Sequence, residues 1–319
     1  MIRIGTRGST LARWQATFVA DHLRAHGHAV QMEVLVTAGD RVRTLPFAQV
    51  GNKGIFTKEI DEALATSRID LAVHSLKDLP SELPQEFTLA CVPRRADPRD
   101  AFLAQSFASF AALPQRATVG TSSIRRQSLL RAQRPDLNVV ELRGNIDTRM
   151  RRLEQGSCDA IVLAAAGLDR LGLDAKIRER FAVEQMCPAA GQGALGIECR
   201  AGDEKILQAL ATLEYPDSRF AVTLERATLA ALEGGCHVPI GVHCVRNHAE
   251  WAVLGVVAAP DGSRMVRYSM TLPGDTQSAE DAADAGRMLA ARLLIAGAGD
   301  ILNASAAHSP SAGDSHAGA

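Results

Sequence analysis

In His74-Ser75-Leu76-Lys77-Asp78, a compact apolar segment ends on an ammonium directly beside a carboxylate. At the edge of an α/β sheet where such folds place their sites, an aspartate can act as general acid or base, or can stabilise a cationic intermediate. The same pair could equally be a helix cap or a surface ion pair. A second candidate is Cys236 in Glu233-Gly234-Gly235-Cys236-His237-Val238-Pro239. Two glycines ahead of the thiol let a bulky group approach the sulfur, which suits a nucleophile or an attachment point. The third is a block of guanidinium groups. Of 35 Lys and Arg only five are lysine, and nine arginines fall between Arg116 and Arg152 against three acids, Asp136, Glu141 and Asp147. Guanidinium forks bind carboxylates bidentately, so this excess fits an anionic ligand with several carboxylates. Arg131, Arg134, Arg151 and Arg152 read equally well as a solvated helix face. Arg125, Arg126, Arg143 and Arg149 flank the turns Thr121-Ser122-Ser123 and Gly144-Asn145, and these are read as ligand-binding. Lys53 and Lys58 join Lys77 as lysines retained in the first third of the chain.

Two other patterns lead elsewhere. Gly191-Gln192-Gly193-Ala194-Leu195-Gly196 spells the dinucleotide fingerprint, but Cys187-Pro188 precedes it and a strand-like Ile197-Glu198-Cys199 follows, the reverse of the strand-then-helix context required. It reads as a segment returning the chain between lobes, with Gln192 available to a ligand. Cys236-His237 and His243-Cys244 lack the usual zinc ligand spacing, so no metal is expected.

Positioning these groups requires β/α units. Ile2 to Gly5 reads as a strand, Ser9 as an N-cap, and Leu11, Trp14, Phe18, Val19 and Leu23 as the apolar face of a helix ending at Gly27. A strand over 30–37, a helix over 57–66 and a strand over 69–74 follow. After the Pro- and charge-rich stretch 93–100 the pattern repeats: strand 117–120, helix 123–133, strand 138–142, helix 146–155, strand 159–164. Alternation of this kind predicts mostly parallel sheets in two consecutive α/β lobes. Ile4-Gly5-Thr6-Arg7-Gly8-Ser9 even echoes Val119-Gly120-Thr121-Ser122-Ser123, each at a strand-to-helix junction. Helices over 203–213 and 218–232, strands over 240–246, 251–258 and 265–272, and a helix over 278–296 form a small α+β domain. From Asn303 to Ala319 there is no Val, Leu, Ile or Phe, and the tail is expected to be disordered.

The 319 residues allow two or three domains. A net charge of −1 and an aromatic fraction of 4% lack both the basic field and the stacking surfaces of a nucleic-acid binder. No apolar run approaches the roughly 18 residues of a membrane span. The absence of a secretory pattern at the start leads us to expect a cytoplasmic protein. Six cysteines without a C-x-x-C pair read as reduced thiols.

Taken together, these segments resemble the porphobilinogen deaminase (hydroxymethylbilane synthase) family. The matching stretches are Gly5-Thr6-Arg7-Gly8-Ser9, Lys53-Gly54-Ile55-Phe56, Ala72-Val73-His74-Ser75-Leu76-Lys77-Asp78, Asp97-Pro98-Arg99-Asp100-Ala101, Gly120-Thr121-Ser122-Ser123 with Arg125-Arg126, Arg143-Gly144-Asn145 with Arg149, Gly191-Gln192-Gly193-Ala194 and Gly234-Gly235-Cys236. Thr10, Asn52 and Leu76 depart from the residues common there, Pro, Gly and Met. None of the three removes a charged or reactive group.

The resemblance implies two lobes like type II periplasmic binding proteins, with mixed sheets, plus a smaller α+β C-terminal domain. The implied boundaries are 1–94 with 194–213, 95–193, 214–302, and a tail over 303–319. It implies a transferase that joins four porphobilinogen molecules head to tail with release of ammonia, then frees hydroxymethylbilane by hydrolysis. The implied cofactor is a dipyrromethane bound through a thioether to Cys236. By motif match, Asp78 and Lys77 would be catalytic. Ser75, Lys77, Asp78, Thr121, Ser122, Ser123, Arg125, Arg126, Arg143 and Gly144 would hold the cofactor, and Arg7, Ser9, Lys53, Arg143, Arg149 and Gln192 the substrate. The protein is expected to be a monomer with porphobilinogen as its small-molecule partner, and with neither nucleic acid nor membrane. The rival reading is a non-catalytic two-lobed binder of an organic anion, which leaves the Cys236 loop without purpose.

Overall fold

In the computed structural model, residues 1–37, 58–232 and 239–307 are described. Lys53, Asn52 and Cys236 lie outside them, as does the rest of the tail from residue 308. The first run comprises β1 (Ile2–Arg7), α1 (Thr10–Ala25), β2 (Val30–Leu35), α2 (Lys58–Ala65), β3 (Leu71–Ser75) and β4 (Phe87–Cys91). The second comprises β5 (Asp100–Ala104), β6 (Thr118–Gly120), α3 (Ile124–Gln133), β7 (Asn138–Val140), α4 (Ile146–Glu154), β8 (Ala160–Ala164), α5 (Ala165–Arg170) and β9 (Glu179–Arg180). The chain then returns through β10 (Leu195–Arg200) and α6 (Glu204–Leu210). It ends in α7 (Pro216–Ala231), β11 (Ile240–Asn247), β12 (Glu250–Ala258), β13 (Met265–Pro273), α8 (Ala279–Leu293) and α9 (Gly299–Ala307).

The strand orders are β2-β1-β3-β10-β4, β7-β6-β8-β5-β9 and β11-β12-β13. Both five-stranded sheets are mixed. β1, β2 and β3 run parallel, as do β6, β7 and β8. β10 is antiparallel to β3 and β4, and β5 to β8 and β9. The mostly parallel expectation therefore holds for three strands of each sheet. β4 and β5 had no helical neighbour to announce them, and a five-residue run such as Asp100–Ala104, buried throughout, has no alternation to read. The echoed turns occupy corresponding places: each follows a strand flanked by two parallel neighbours and carries a serine N-cap, Ser9 accepting from Ala12 N and Ser123 from Arg126 N.

Two local expectations are corrected. The buried face of α1 is Ala12, Gln15, Ala16, Val19, Ala20 and Leu23, whereas Trp14 and Phe18 are exposed and stacked on each other, with centroids 5.8 Å apart. Small side chains let α1 lie close on its sheet, which displaces the aromatics to its flank. The tail expected from Asn303 is helical through Ala307: with three alanines in five residues, Asn303-Ala304-Ser305-Ala306-Ala307 extends α9 beyond the last core-packed residues, Ile301 and Leu302.

The crossovers between the lobes meet on the third domain. Ala96 N donates to Gly193 O, at a place where Gly193 has φ +87° and any Cβ would lie 2.6 Å from Ala96 O. Glu225 of α7, fully buried, accepts from Arg95 Nη1 (2.7 Å) and Nη2 (3.1 Å), from Gly191 N (2.7 Å) and from Cys244 N (2.8 Å). One carboxylate thus ties the outgoing segment, the returning segment and β11 together. His243 lies 3.8 Å from the same carboxylate, yet burial outweighs that attraction and pushes its pKa down to about 4. The unfolded chain binds this proton near pH 6.5, so the stability contribution is complete above that pH and shrinks as pH falls toward 4. It amounts to about 3 kcal/mol in all, of which about 2 kcal/mol is lost by pH 5. In thermal melts at pH 7 and pH 5, His243→Gln should lose correspondingly less stability than the parent; equal losses would exclude His243 as the source.

Candidate active site

The turn carrying Lys77 and Asp78 is fixed from below. β3 pairs with β10 through Ser75 and Leu195, and Leu76 N donates to Ala194 O at 3.0 Å. Leu76, buried in a cluster with Leu79, Val92, Ala194 and Val222, pins the 3₁₀ turn Leu76–Asp78 beneath the surface. Lys77 is left half-buried and Asp78 exposed. Gln15 of α1 holds Ser75 by Nε2 to Oγ at 2.8 Å. Among the described residues no hydrogen bond or ion pair reaches the Asp78 carboxylate.

The opposite wall comes from the second lobe. The hydroxyl of Thr121 accepts from Ser123 N at 3.2 Å, and Ser123 caps α3, so Arg125 and Arg126 stand on that helix's first turn. Gly144, with φ +117°, turns the chain into α4, and a Cβ there would meet Thr148 at 2.9 Å. Arg149 donates from Nε to Gly144 O (2.7 Å) and from Nη2 to Ser122 Oγ (3.2 Å).

Between these walls lies a cavity of about 260 Å³ whose lining includes Arg7, Ser9, Ser75, Lys77, Asp78, Arg126, Gly144, Arg149 and Arg170. Burial, with Arg126 nearby, pushes the Lys77 ammonium down to about 8; burial likewise lowers Arg149 and Arg170, each to about 10. All three remain cationic at pH 7. None of them has a salt bridge to a carboxylate among the described residues. Desolvated cations without a salt bridge are costly to a protein on its own, and here only the fields of Asp78, Asp100 and Asp169, among the described residues, offset that cost. A ligand bearing several carboxylates supplies the missing partners, so the donor set fits an acidic oligopyrrole.

Sequence reasoning missed Arg170. It lies outside the arginine-rich block and in no recognised motif, and only its place on α5, just past the end of β8, could have marked it. Its Nη2 donates to Gly193 O at 2.8 Å, and its guanidinium stands 5.8 Å over the ring of Trp14 on the other lobe. Thr10, another departure from the common pattern, donates from Oγ1 to Asp147 Oδ2 at 3.2 Å across the same cleft.

Several expected contacts take other positions. Gln192 is fully buried and absent from the cavity lining; its Nε2 donates to Pro98 O (2.7 Å) and Asp100 Oδ1 (2.8 Å). Crowding by both crossovers is the reason. Arg125 is also buried and out of the lining, bound to Asp100 Oδ2 and Cys187 O. Thr121, Ser122 and Ser123 shape the α3 and Arg149 positions without lining the cavity, and Arg143 pairs with Glu141 at 2.6 Å. Cys91, Cys158, Cys187, Cys199 and Cys244 are buried free thiols. Among the described residues no helix is long and apolar enough to cross a membrane, and no cluster of three metal-ligating side chains occurs.

Comparison with known proteins agrees with this chemistry. Residues 2–208 match the family model described as porphobilinogen deaminase, dipyromethane cofactor binding domain, and residues 219–295 match the porphobilinogen deaminase C-terminal domain. A porphobilinogen deaminase of Roseiflexus castenholzii is 49% identical over 303 residues, covering 94% of this chain and 98% of that protein. One from Nitratidesulfovibrio vulgaris is 50% identical over 305 residues, covering 94% and 95%. Among solved structures, a periplasmic substrate-binding protein from Coxiella burnetii superposes with a TM-score of 0.44 at 15% identity, over 68% of this chain and 93% of that one. At that score the likeness adds nothing to what the strand orders show.

Proposed function

The chain belongs to the porphobilinogen deaminase family, and from that premise we propose how its own residues carry out the condensation of porphobilinogen with release of ammonia. The enzyme is a transferase that works with a dipyrromethane cofactor. We assign the cofactor's attachment to the Cys236 thiol as a thioether, on the motif match. When bound, the dipyrromethane supplies the pyrrole carbon onto which the first substrate unit is joined. Arg126, Arg149, Arg170, Arg7 and Lys77 face the cavity and bind the acetate and propionate carboxylates. Ser75 and Ser9 add hydrogen-bonding groups at the same wall.

Loss of ammonia from porphobilinogen leaves an electron-poor azafulvenium. The Asp78 carboxylate, open to the cleft and bonded to none of the described residues, is aimed at that developing cation and at pyrrole N–H groups. A fixed charge facing charge that develops in the transition state is commonly the largest single catalytic contribution. Lys77, a cation at pH 7 whose ammonium burial brings down to about 8, can pass the proton that accompanies ammonia's departure. The lobes are assigned to 1–94 with 194–213 and to 95–193, the third domain to 214–302. The protein is proposed to act as a cytoplasmic monomer.

The observation that carries this reading is that Lys77, Arg149 and Arg170 stand half-buried at the cavity without a salt bridge among the described residues, in a chain matched to the family over both of its domains. A non-catalytic anion binder is not favoured, since it gives no role to the matched C-terminal domain. Intact-mass measurement tests the assignment. Purified protein should carry a dipyrromethane on Cys236 and should consume porphobilinogen. A bare chain that stays inert after incubation with porphobilinogen would overturn it.

A further inference from the structure

Gln192 and Asp100 stand beneath the cleft where the two crossovers meet, both fully buried and absent from the cavity lining. Asp100, fully buried at the first position of β5, receives four donors. Arg125 Nη1 reaches Oδ2 at 2.8 Å, while Arg126 Nε (3.0 Å), Arg126 Nη2 (2.7 Å) and Gln192 Nε2 (2.8 Å) reach Oδ1. These bonds orient the Gln192 amide, so its Oε1 faces Lys77 Nζ (3.4 Å), Arg126 Nη2 (3.4 Å) and Arg125 Nη2 (3.5 Å). Lys77 comes from the first lobe and both arginines from the second. One buried amide and one buried carboxylate therefore hold cations of both lobes in a single cluster.

The consequence concerns Asp78. Arg126 lies in the field of Asp78 as well as that of Asp100, and a guanidinium free to choose would pair with the exposed carboxylate at the cleft. Capture of its Nε and Nη2 by one Asp100 oxygen removes that choice. We propose that Asp100 and Gln192 are positioning residues of the reaction: they bind Arg125, Arg126 and Lys77 from below, so that Asp78 meets the substrate's developing cation without a cation already bonded to it. A carboxylate paired in advance with arginine would have to break that pair before stabilising anything else.

The inference rests on the porphobilinogen deaminase reading, and the two fail differently: without that reading there is neither primer nor turnover. The test uses the holoenzyme, with primer content read by intact mass. Asp100→Asn should retain primer and lose on the order of 10- to 100-fold in kcat, as misplaced reacting groups do, with a smaller change in KM. A second readout is the pH midpoint of Lys77, followed by ¹³C NMR after reductive methylation and assigned with Lys77→Arg. Only five lysines are present, which keeps the spectrum simple. Among the described residues, Arg126, Asp78, Asp100 and Arg125 act most strongly on Lys77, so loss of the Asp100 charge must lower its midpoint. The charge-neutral Gln192→Leu separates position from field, since toward Lys77 it removes only the Oε1 contact: it should lower the midpoint and kcat together, whereas a residue that only packs would move neither. Where Asp100→Asn fails to fold, Gln192→Leu is measured instead, with the same expected directions. Undiminished kcat, a loss confined to KM, or an unmoved midpoint in the variant would each overturn the proposal.

Discussion

Asp78→Asn should yield a folded protein that still carries its primer and turns over roughly 10²–10³-fold more slowly, the typical cost of deleting one preorganised electrostatic group. The fold should not notice the change. Asp78 is exposed, and no hydrogen bond or ion pair from the described residues reaches its carboxylate. Substitutions at such positions alter stability by only about ±0.5 kcal/mol. The isosteric amide removes the negative charge and keeps the shape, so the loss should appear in kcat for porphobilinogen consumption while the thermal midpoint stays put. A variant turning over at the parental rate would remove Asp78 from the chemistry. A variant that loses its thermal midpoint instead would make Asp78 a structural residue.

Glu225→Leu should be the most destabilising single change outside the apolar core, costing about 3–5 kcal/mol. The leucine cannot replace what the carboxylate does. Arg95, whose side chain is 10% exposed, would lose both of its charged contacts, and the backbone N–H groups of Gly191 and Cys244 would be orphaned in the interior. Adding Arg95→Met to Glu225→Leu should recover part of the loss, because it removes the uncompensated charge. Asp21→Ala is the control: it breaks an ion pair with Arg24 whose side chains are 65% and 47% exposed, and it should change stability within about 0.5 kcal/mol. Chemical denaturation of the three variants checks the order. Similar midpoints for Glu225→Leu and Asp21→Ala would show that the junction of the crossovers carries no special energy.

Asp100 appeared in the sequence only as part of a motif, with no role, and Glu225 not at all. Both are acids that look ordinary in a helix or strand and acquire meaning from partners far along the chain, Arg125 and Arg126 for one, Arg95 and His243 for the other. Gln192 was legible as special because of its glycines, but its bonds to Pro98 O and Asp100 were not, since glycine spacing says that chains approach closely and not which group lies opposite. Arg170 was invisible for a related reason: a lone arginine carries no local pattern, and only the packing of α5 across from Trp14 brings it to the cavity.

Local chemistry written in the sequence determined the β/α alternation, the serine N-caps at the two echoed turns, the Lys77-Asp78 pair at a strand end and the arginine excess. Each depends on side chains within a few residues of one another, where periodicity and capping act directly. Tertiary structure alone decided which arginines face the cavity, that Asp100 holds both Arg125 and the cavity-lining Arg126, and that a single glutamate fastens both crossovers to the third domain. Ion pairing and desolvation are set by distances of a few ångströms between groups remote along the chain, and such distances exist only once the lobes have closed on one another.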